Sequence, residues 1–216
     1  MNDILLDSIK DSLGVISISE EDFSLVTSLY FDNIIDLSGV EKLPNLNKIF
    51  LSHLLITPNI INDLKKVKKL DSLSIINSSI LDMEGLGELP ISELFINNTM
   101  INDYRYINNL SNLKSLSLLN YDYIDLEELS ITKVLERVYL DGTDIENSDL
   151  LFYLNNCVSL GISNTNIKDI GSLLGLDNLK ELFLDEKTYK NNELAVKNLI
   201  IRGVKIKIVG GNYELL

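Results

Sequence analysis

The feature that most constrains this chain is a six-residue pattern, LxxLxL, that returns along nearly its whole length. It reads as VTSLYF, LNKIFL, LDSLSI, ISELFI, LKSLSL, LERVYL, CVSLGI and LKELFL, with IRGVKI following in the same register. The first residues are Val26, Leu46, Leu70, Ile91, Leu113, Leu135, Cys157, Leu179 and Ile201, so the spacings are 20, 24, 21 and then 22 five times over. Self-similarity at such a period marks a stacked-repeat architecture, because a single unit of this length cannot bury its own apolar side. Stacking neighbours closes the core, and the two end units then require caps.

Each LxxLxL run is followed by a polar residue, an isoleucine or tyrosine, and a segment such as DLSGVEKLPN or DIGSLLGLDN. The whole pattern resembles the bacterial leucine-rich repeat of the internalin-like, 22-residue type. The resemblance implies an α/β repeat solenoid, a curved parallel sheet of about nine strands with short helical or 3-10 segments on the convex side and capped ends. The ladder asparagine of that family, at the ninth repeat position, is replaced here by Ser78, Thr99, Thr143 and Thr165. Their hydroxyls can still bond neighbouring loop backbone, whereas Leu54, Tyr121 and Lys187 at the same position cannot. Residues 1–25 read as an N-terminal helical cap, with an amphipathic helix over 3–13 closed by Gly14 and Ser19 as the N-cap of a second turn. Residues 26–189 read as the repeat array, and 190–216 as a C-terminal cap in which a helix from Asn191 to Arg202, stopped by Gly203, leads to a final strand.

Within LxxLxL, positions 4 and 6 should point into the core, leaving 3, 5 and 7 outward on the face that the resemblance makes concave. Position 5 reads Tyr30, Phe50, Ser74, Phe95, Ser117, Tyr139, Gly161, Phe183 and Lys205. From the third strand to the eighth, small and aromatic residues alternate, while position 3 alternates serine with charge at Glu93, Arg137 and Glu181. The array therefore looks like a duplicated two-repeat unit. Phe95, Tyr139 and Phe183 should stand two strands apart, ~9.5 Å at the usual strand spacing, over slots floored by Ser74, Ser117 and Gly161. Exposed aromatics beside charges are the composition of interface anchors. The expected partner-binding residues are Tyr30, Phe50, Phe95, Tyr139, Phe183, Glu93, Arg137, Asp141, Glu181 and Asp185.

Chemistry is sparse by comparison. The one histidine, His53, lacks a second histidine or a cysteine beside it and reads as a turn residue, and the one cysteine, Cys157, holds an apolar consensus position and reads as a buried thiol. Asp141, Asp144 and Glu146 lack the spacing of a calcium loop, and KKVKK at 65–69 reads as a solvated convex face. The glycine-rich VGGNYE opens no helix and reads as a tail. No catalytic, cofactor or metal site is expected. A formal net charge of −13 argues against nucleic acid and suggests a basic protein partner. The start carries no basic n-region and no apolar run approaches a bilayer span, so the expectation is a cytoplasmic monomer off the membrane. The leading function is a non-catalytic protein-binding module. A more specific alternative is an immunity or antitoxin-like inhibitor of a basic toxin; a surface adhesin or an enzyme is disfavoured.

Overall fold

The computed structural model describes residues 3–34, 36–129, 134–146, 148–210 and 214–215, and they form two compact units, residues 1–112 and 113–216. In the first unit α1 (Asp3–Leu13) and a 3-10 turn (Glu20–Leu25) precede β1 (Ser28–Asp32), β2 (Lys48–Ser52), β3 (Ser72–Ile76) and β4 (Glu93–Asn97). These four strands pair in parallel, in sequence order and in the register expected from the repeat, Tyr30 opposite Phe50, Phe50 opposite Ser74 and Ser74 opposite Phe95. The return segments are a 3-10 turn (Val40–Lys42), α2 (Pro58–Lys65), α3 (Met83–Gly87) and a 3-10 helix (Tyr104–Asn109). The shortest return lies in the repeat that is two residues short. The eight-residue α2, opened by Pro58 in its first turn, lies in the repeat that is two residues long. Proline suits that place because its missing N–H has no intrahelical partner there.

The second unit repeats the plan with β5 (Ser115–Leu119), β6 (Arg137–Tyr139), β7 (Ser159–Gly161), β8 (Glu181–Asp185) and β9 (Lys205–Val209), again all parallel. Their returns are 3-10 turns at Leu126–Glu128, Ser148–Tyr153 and Gly171–Gly175, until α4 (Glu186–Asn191) and α5 (Glu193–Ile201) replace them. Within each unit the strands thus form the parallel leucine-rich-repeat sheet expected from the sequence.

The core follows from the strand pleat. Position-4 residues such as Leu29, Leu73, Leu116 and Leu160, and position-6 residues such as Leu51, Ile96, Leu140 and Leu184, are at most 1% exposed. Each fully buried Leu, Ile or Val contributes roughly 1.5–3 kcal/mol, and every repeat supplies several of them to its neighbours.

The turns after the strands are held by a column of left-handed residues at the eighth repeat position. Asn33, His53, Asn77, Asn98, Asn120 and Asn164 have φ between 45° and 59°, and Gly142 has φ 71°. Asparagine tolerates this region better than other side chains, which explains a recurring Asn that the sequence reading did not assign. One position later the hydroxyl ladder operates as expected between adjacent turns. Ser78 Oγ accepts from Leu54 N–H at 3.0 Å, Thr99 Oγ1 from Ser78 N–H at 3.3 Å and Thr143 Oγ1 from Tyr121 N–H at 3.2 Å. Leu54 and Tyr121 therefore take part through backbone N–H groups rather than side chains. Thr165 departs from the pattern, because its hydroxyl donates to Ile162 C=O within its own turn. The link to the preceding turn is made instead by Asn166, whose carboxamide takes both the N–H and the C=O of Ile145.

The two ends depart furthest from the repeat. α1 packs Leu5 and Ile9 inward, while Ser8 and Ser12 one turn apart donate to Tyr30 C=O (2.5 Å) and Ser28 C=O (2.9 Å) on β1. Side-chain hydroxyls thereby occupy carbonyls that an uncovered edge strand would offer to another chain. At the other end the expected helix is α5, Glu193–Ile201, and a further short helix, α4, precedes it from Glu186, where Asp185 caps it by accepting from Thr188 N–H at 2.9 Å. Ile201 is then the last residue of α5, and β9 begins after Gly203, whose φ of 89° ends the helix. The register consequently moves by two residues, with Lys205 opposite Glu181 and Lys207 opposite Phe183. The expected tail also turns back, as Glu214–Leu215 (β10) pairs antiparallel with β9; Gly211, Asn212 and Tyr213 lie outside the described residues. No described helix is long and apolar enough to cross a membrane.

Candidate functional site

The outward face of the first unit is built by odd positions of β1 to β4. Tyr30 and Phe50 stand opposite each other and are 56% and 38% exposed, which makes them the most accessible aromatics on the strands of either unit. Phe95 is half-buried between Leu94 and Ile96, both in the core, so it belongs to the outward side. Ser74, in register between Phe50 and Phe95, is buried at 7% exposure. Glu93 is half-buried on the same face.

Along the rim of this face a side-chain ladder links consecutive turns. His53 Nδ1 lies 2.7 Å from Asp32 Oδ1 and 2.9 Å from Ser52 Oγ, His53 Nε2 lies 3.3 Å from Asn77 Nδ2, and Asn98 Nδ2 donates to Asn77 Oδ1 at 2.8 Å. The bond to His53 holds the Asp32 carboxyl below its ordinary value. Ser52 and Asp32 share one nitrogen of the ring, so no proton relay runs through the imidazole from one to the other. The histidine is a turn residue, as its position indicates.

The second unit arranges its aromatics differently from the expectation. Tyr139 and Phe183 do not stand as separate pillars over a slot; their rings meet edge to face with centroids 5.8 Å apart. Gly161 between them makes this possible. A Cβ there would lie 2.7 Å from Tyr139 Cδ1 and 2.5 Å from Asp141 Oδ2, inside van der Waals contact. The Tyr139 hydroxyl is anchored 2.9 Å from Ser159 Oγ. Lys207 completes the group, with its ammonium 4.7 Å from the centroid of the Phe183 ring and 3.3 Å from Glu181 Oε1. Cation–π attraction and the ion pair hold it together. Sequence reasoning missed Lys207 because the register of the last strand depends on where α5 ends.

The carboxylates expected to select basic groups are largely engaged within the chain. Asp185 is 9% exposed and accepts from Thr188 N–H, Thr188 Oγ1–H (2.7 Å) and Asn164 N–H (3.0 Å). Burial opposes its ionisation, but these donors together hold its carboxyl below the usual value. It is a helix cap and does not form part of the outward surface. Asp141 Oδ1 accepts from Ser163 N–H at 2.7 Å, and Glu181 is paired with Lys207. Arg137 is half-buried on β6 beside them.

Several other titratable groups do structural work. The Cys157 thiol is fully buried and donates to Ser159 C=O at 3.1 Å; burial pushes its pKa up to about 11, which leaves it unreactive. On the return segments Lys65 pairs with Glu88, Lys66 with Asp63, and Lys69 donates to Asn45. Among the described residues no three of His, Cys, Asp or Glu are grouped so as to hold a metal ion.

Neither a protein-family model nor a curated protein matches the sequence. Solved structures do. Internalin InlF from Listeria monocytogenes superposes with a TM-score of 0.61 at 20% identity, over 97% of this chain and 76% of that one. Internalin C2 from the same organism gives 0.60 at 21% identity, over 97% and 87%. InlP of L. monocytogenes gives 0.56 at 15% identity, over 85% and 64%. With nine parallel strands, short helical returns and aromatic outward positions in place, the chain has the internalin-like leucine-rich-repeat fold.

Proposed function

We propose that this protein is a non-catalytic interaction module that binds a protein partner through the outward faces of its strands. The observation that carries this reading is the accessible aromatic pair Tyr30 and Phe50, opposite one another on adjacent strands. A folded monomer gains little by placing such rings in water, and large exposed apolar surface marks contact sites. Phe95, Tyr139 and Phe183 extend the binding set, with Glu93, Arg137, Asp141 and Glu181 around them. Asp185 is left out because its carboxylate is occupied as a cap. The test is capture of the partner from native lysate, followed by affinity measurement with alanine variants. Tyr30→Ala, Phe50→Ala, Phe95→Ala, Tyr139→Ala and Phe183→Ala should each cost about 1–4 kcal/mol of binding where the ring becomes fully desolvated. Lys65→Ala and Lys68→Ala, on the return side, should change little. Loss of binding in the lysine variants with full binding in the aromatic ones would refute the reading.

A further inference from the structure

The chain as a whole is strongly acidic, yet the far end of the second unit's outward face is not. On and beside β5 to β9 the basic groups are Lys114, Arg137, Lys180, Lys205 and Lys207, and the carboxylates are Glu136, Asp141, Glu181, the buried Asp185 and Glu186, the last paired with Lys190 at 2.6 Å. Each of these carboxylates already has a partner inside the chain. Glu136 pairs with Lys114 at 3.3 Å, Glu181 with Lys207 at 3.3 Å, and the two aspartates accept from backbone N–H groups. Lys180 and Lys205 are exposed, lie side by side through Lys205 N–H donating to Lys180 C=O at 2.8 Å, and form no ion pair among the described residues. On the far side of β9, β10 pairs with it antiparallel.

An incoming ligand responds to the local field rather than to the distant net charge, because charges beyond roughly 8–10 Å are screened at physiological salt. We infer that the face formed by Lys205 and Lys207 beside the Tyr139–Phe183 pair, with the exposed Lys180 at its edge, binds an acidic segment of the protein partner, one carrying an aromatic or aliphatic side chain to seat against the rings. This rests on the binding-face reading and reverses the basic partner expected from net charge. A peptide suits the site better than nucleic acid, since a phosphate backbone would meet the acidic remainder of the surface.

The test uses the full chain and a short fluorescent peptide alternating glutamate and tyrosine, with a lysine–tyrosine peptide and single-stranded DNA of similar length for comparison. The glutamate peptide should bind, and binding should weaken as salt rises. Lys180→Glu combined with Lys205→Glu should lower its affinity by about tenfold or more, with an unchanged melting profile, while Lys68→Glu on the return side should leave it unaltered. Absence of glutamate-peptide binding, tighter binding of the lysine peptide, equal binding of DNA, or indifference to the double reversal would each overturn the inference. The face reading fails separately. If the native partner is lost with Phe183→Ala but not with the double reversal, the face stands and the acidic partner falls; if neither change matters, both fall.

Discussion

Gly161→Ala offers a test in which local preference and tertiary packing predict opposite signs. In a strand the substitution should stabilise, because glycine costs roughly 0.5–1 kcal/mol relative to alanine in such a position. Here the new Cβ would lie 2.5 Å from Asp141 Oδ2, 2.7 Å from Tyr139 Cδ1 and 3.2 Å from Asp141 Cγ. Neither neighbour is free to move. Asp141 is tied to Ser163 N–H, and Tyr139 is tied to Ser159 and to the edge of Phe183. Losing a hydrogen bond to a charged group costs about 1.5–3 kcal/mol, and an aromatic pair about 0.5–1.5 kcal/mol. Partial loss of both, set against the glycine gain, leaves a net destabilisation of about 1–3 kcal/mol. For a chain of this size that lowers Tm by about 2–4 °C per kcal/mol. The measurement is urea unfolding with a thermal melt, with Gly175→Ala as control. Nothing lies within 4 Å of a Cβ at Gly175, so that change should be neutral or stabilising. A Gly161→Ala protein as stable as the parent would refute the packing around Tyr139. A double-mutant cycle with Tyr139→Ala should show coupling of about 0.5–3 kcal/mol.

Leu116→Ala or Leu160→Ala, at inward positions 1% and 0% exposed, should each cost about 2–5 kcal/mol in denaturant titrations, because a cavity opens in the core. Thr143→Val should cost about 1–3 kcal/mol in the same assay, since the buried hydroxyl both accepts from Tyr121 N–H and donates to Leu118 C=O. Asp185 titrates below its unfolded value of about 3.9, so its contribution is fully present above that pH and is lost as pH falls through the folded pKa. Stability measured from neutral pH down into the acid range should therefore fall less steeply below about pH 4 in Asp185→Asn than in the parent, and identical slopes would contradict the cap geometry.

Much of this fold was legible in the sequence because its physics is local and repeated. The LxxLxL period fixed which residues of each strand face the core, since a one-residue slip would expose every Leu and Ile. The same alternation placed Tyr30, Phe50, Phe95, Tyr139 and Phe183 outside, and the serine and threonine column announced a hydroxyl ladder. The asparagines at the left-handed turn positions were equally visible as a recurring residue, although their role appeared only with the backbone angles. What the sequence could not determine depended on contacts between residues distant along the chain. The end of α5 shifted β9 by two residues and brought Lys207, rather than Lys205, to Phe183. Gly161, read as the floor of a slot, instead lets two rings close over it, because the absence of a side chain permits approach as readily as it leaves a gap. Asp185 looked like one more surface carboxylate until the start of α4 folded Thr188 onto it. Periodicity in the sequence sets the direction in which a side chain points; whether that side chain remains available for a partner is decided by the neighbours that tertiary packing brings to it.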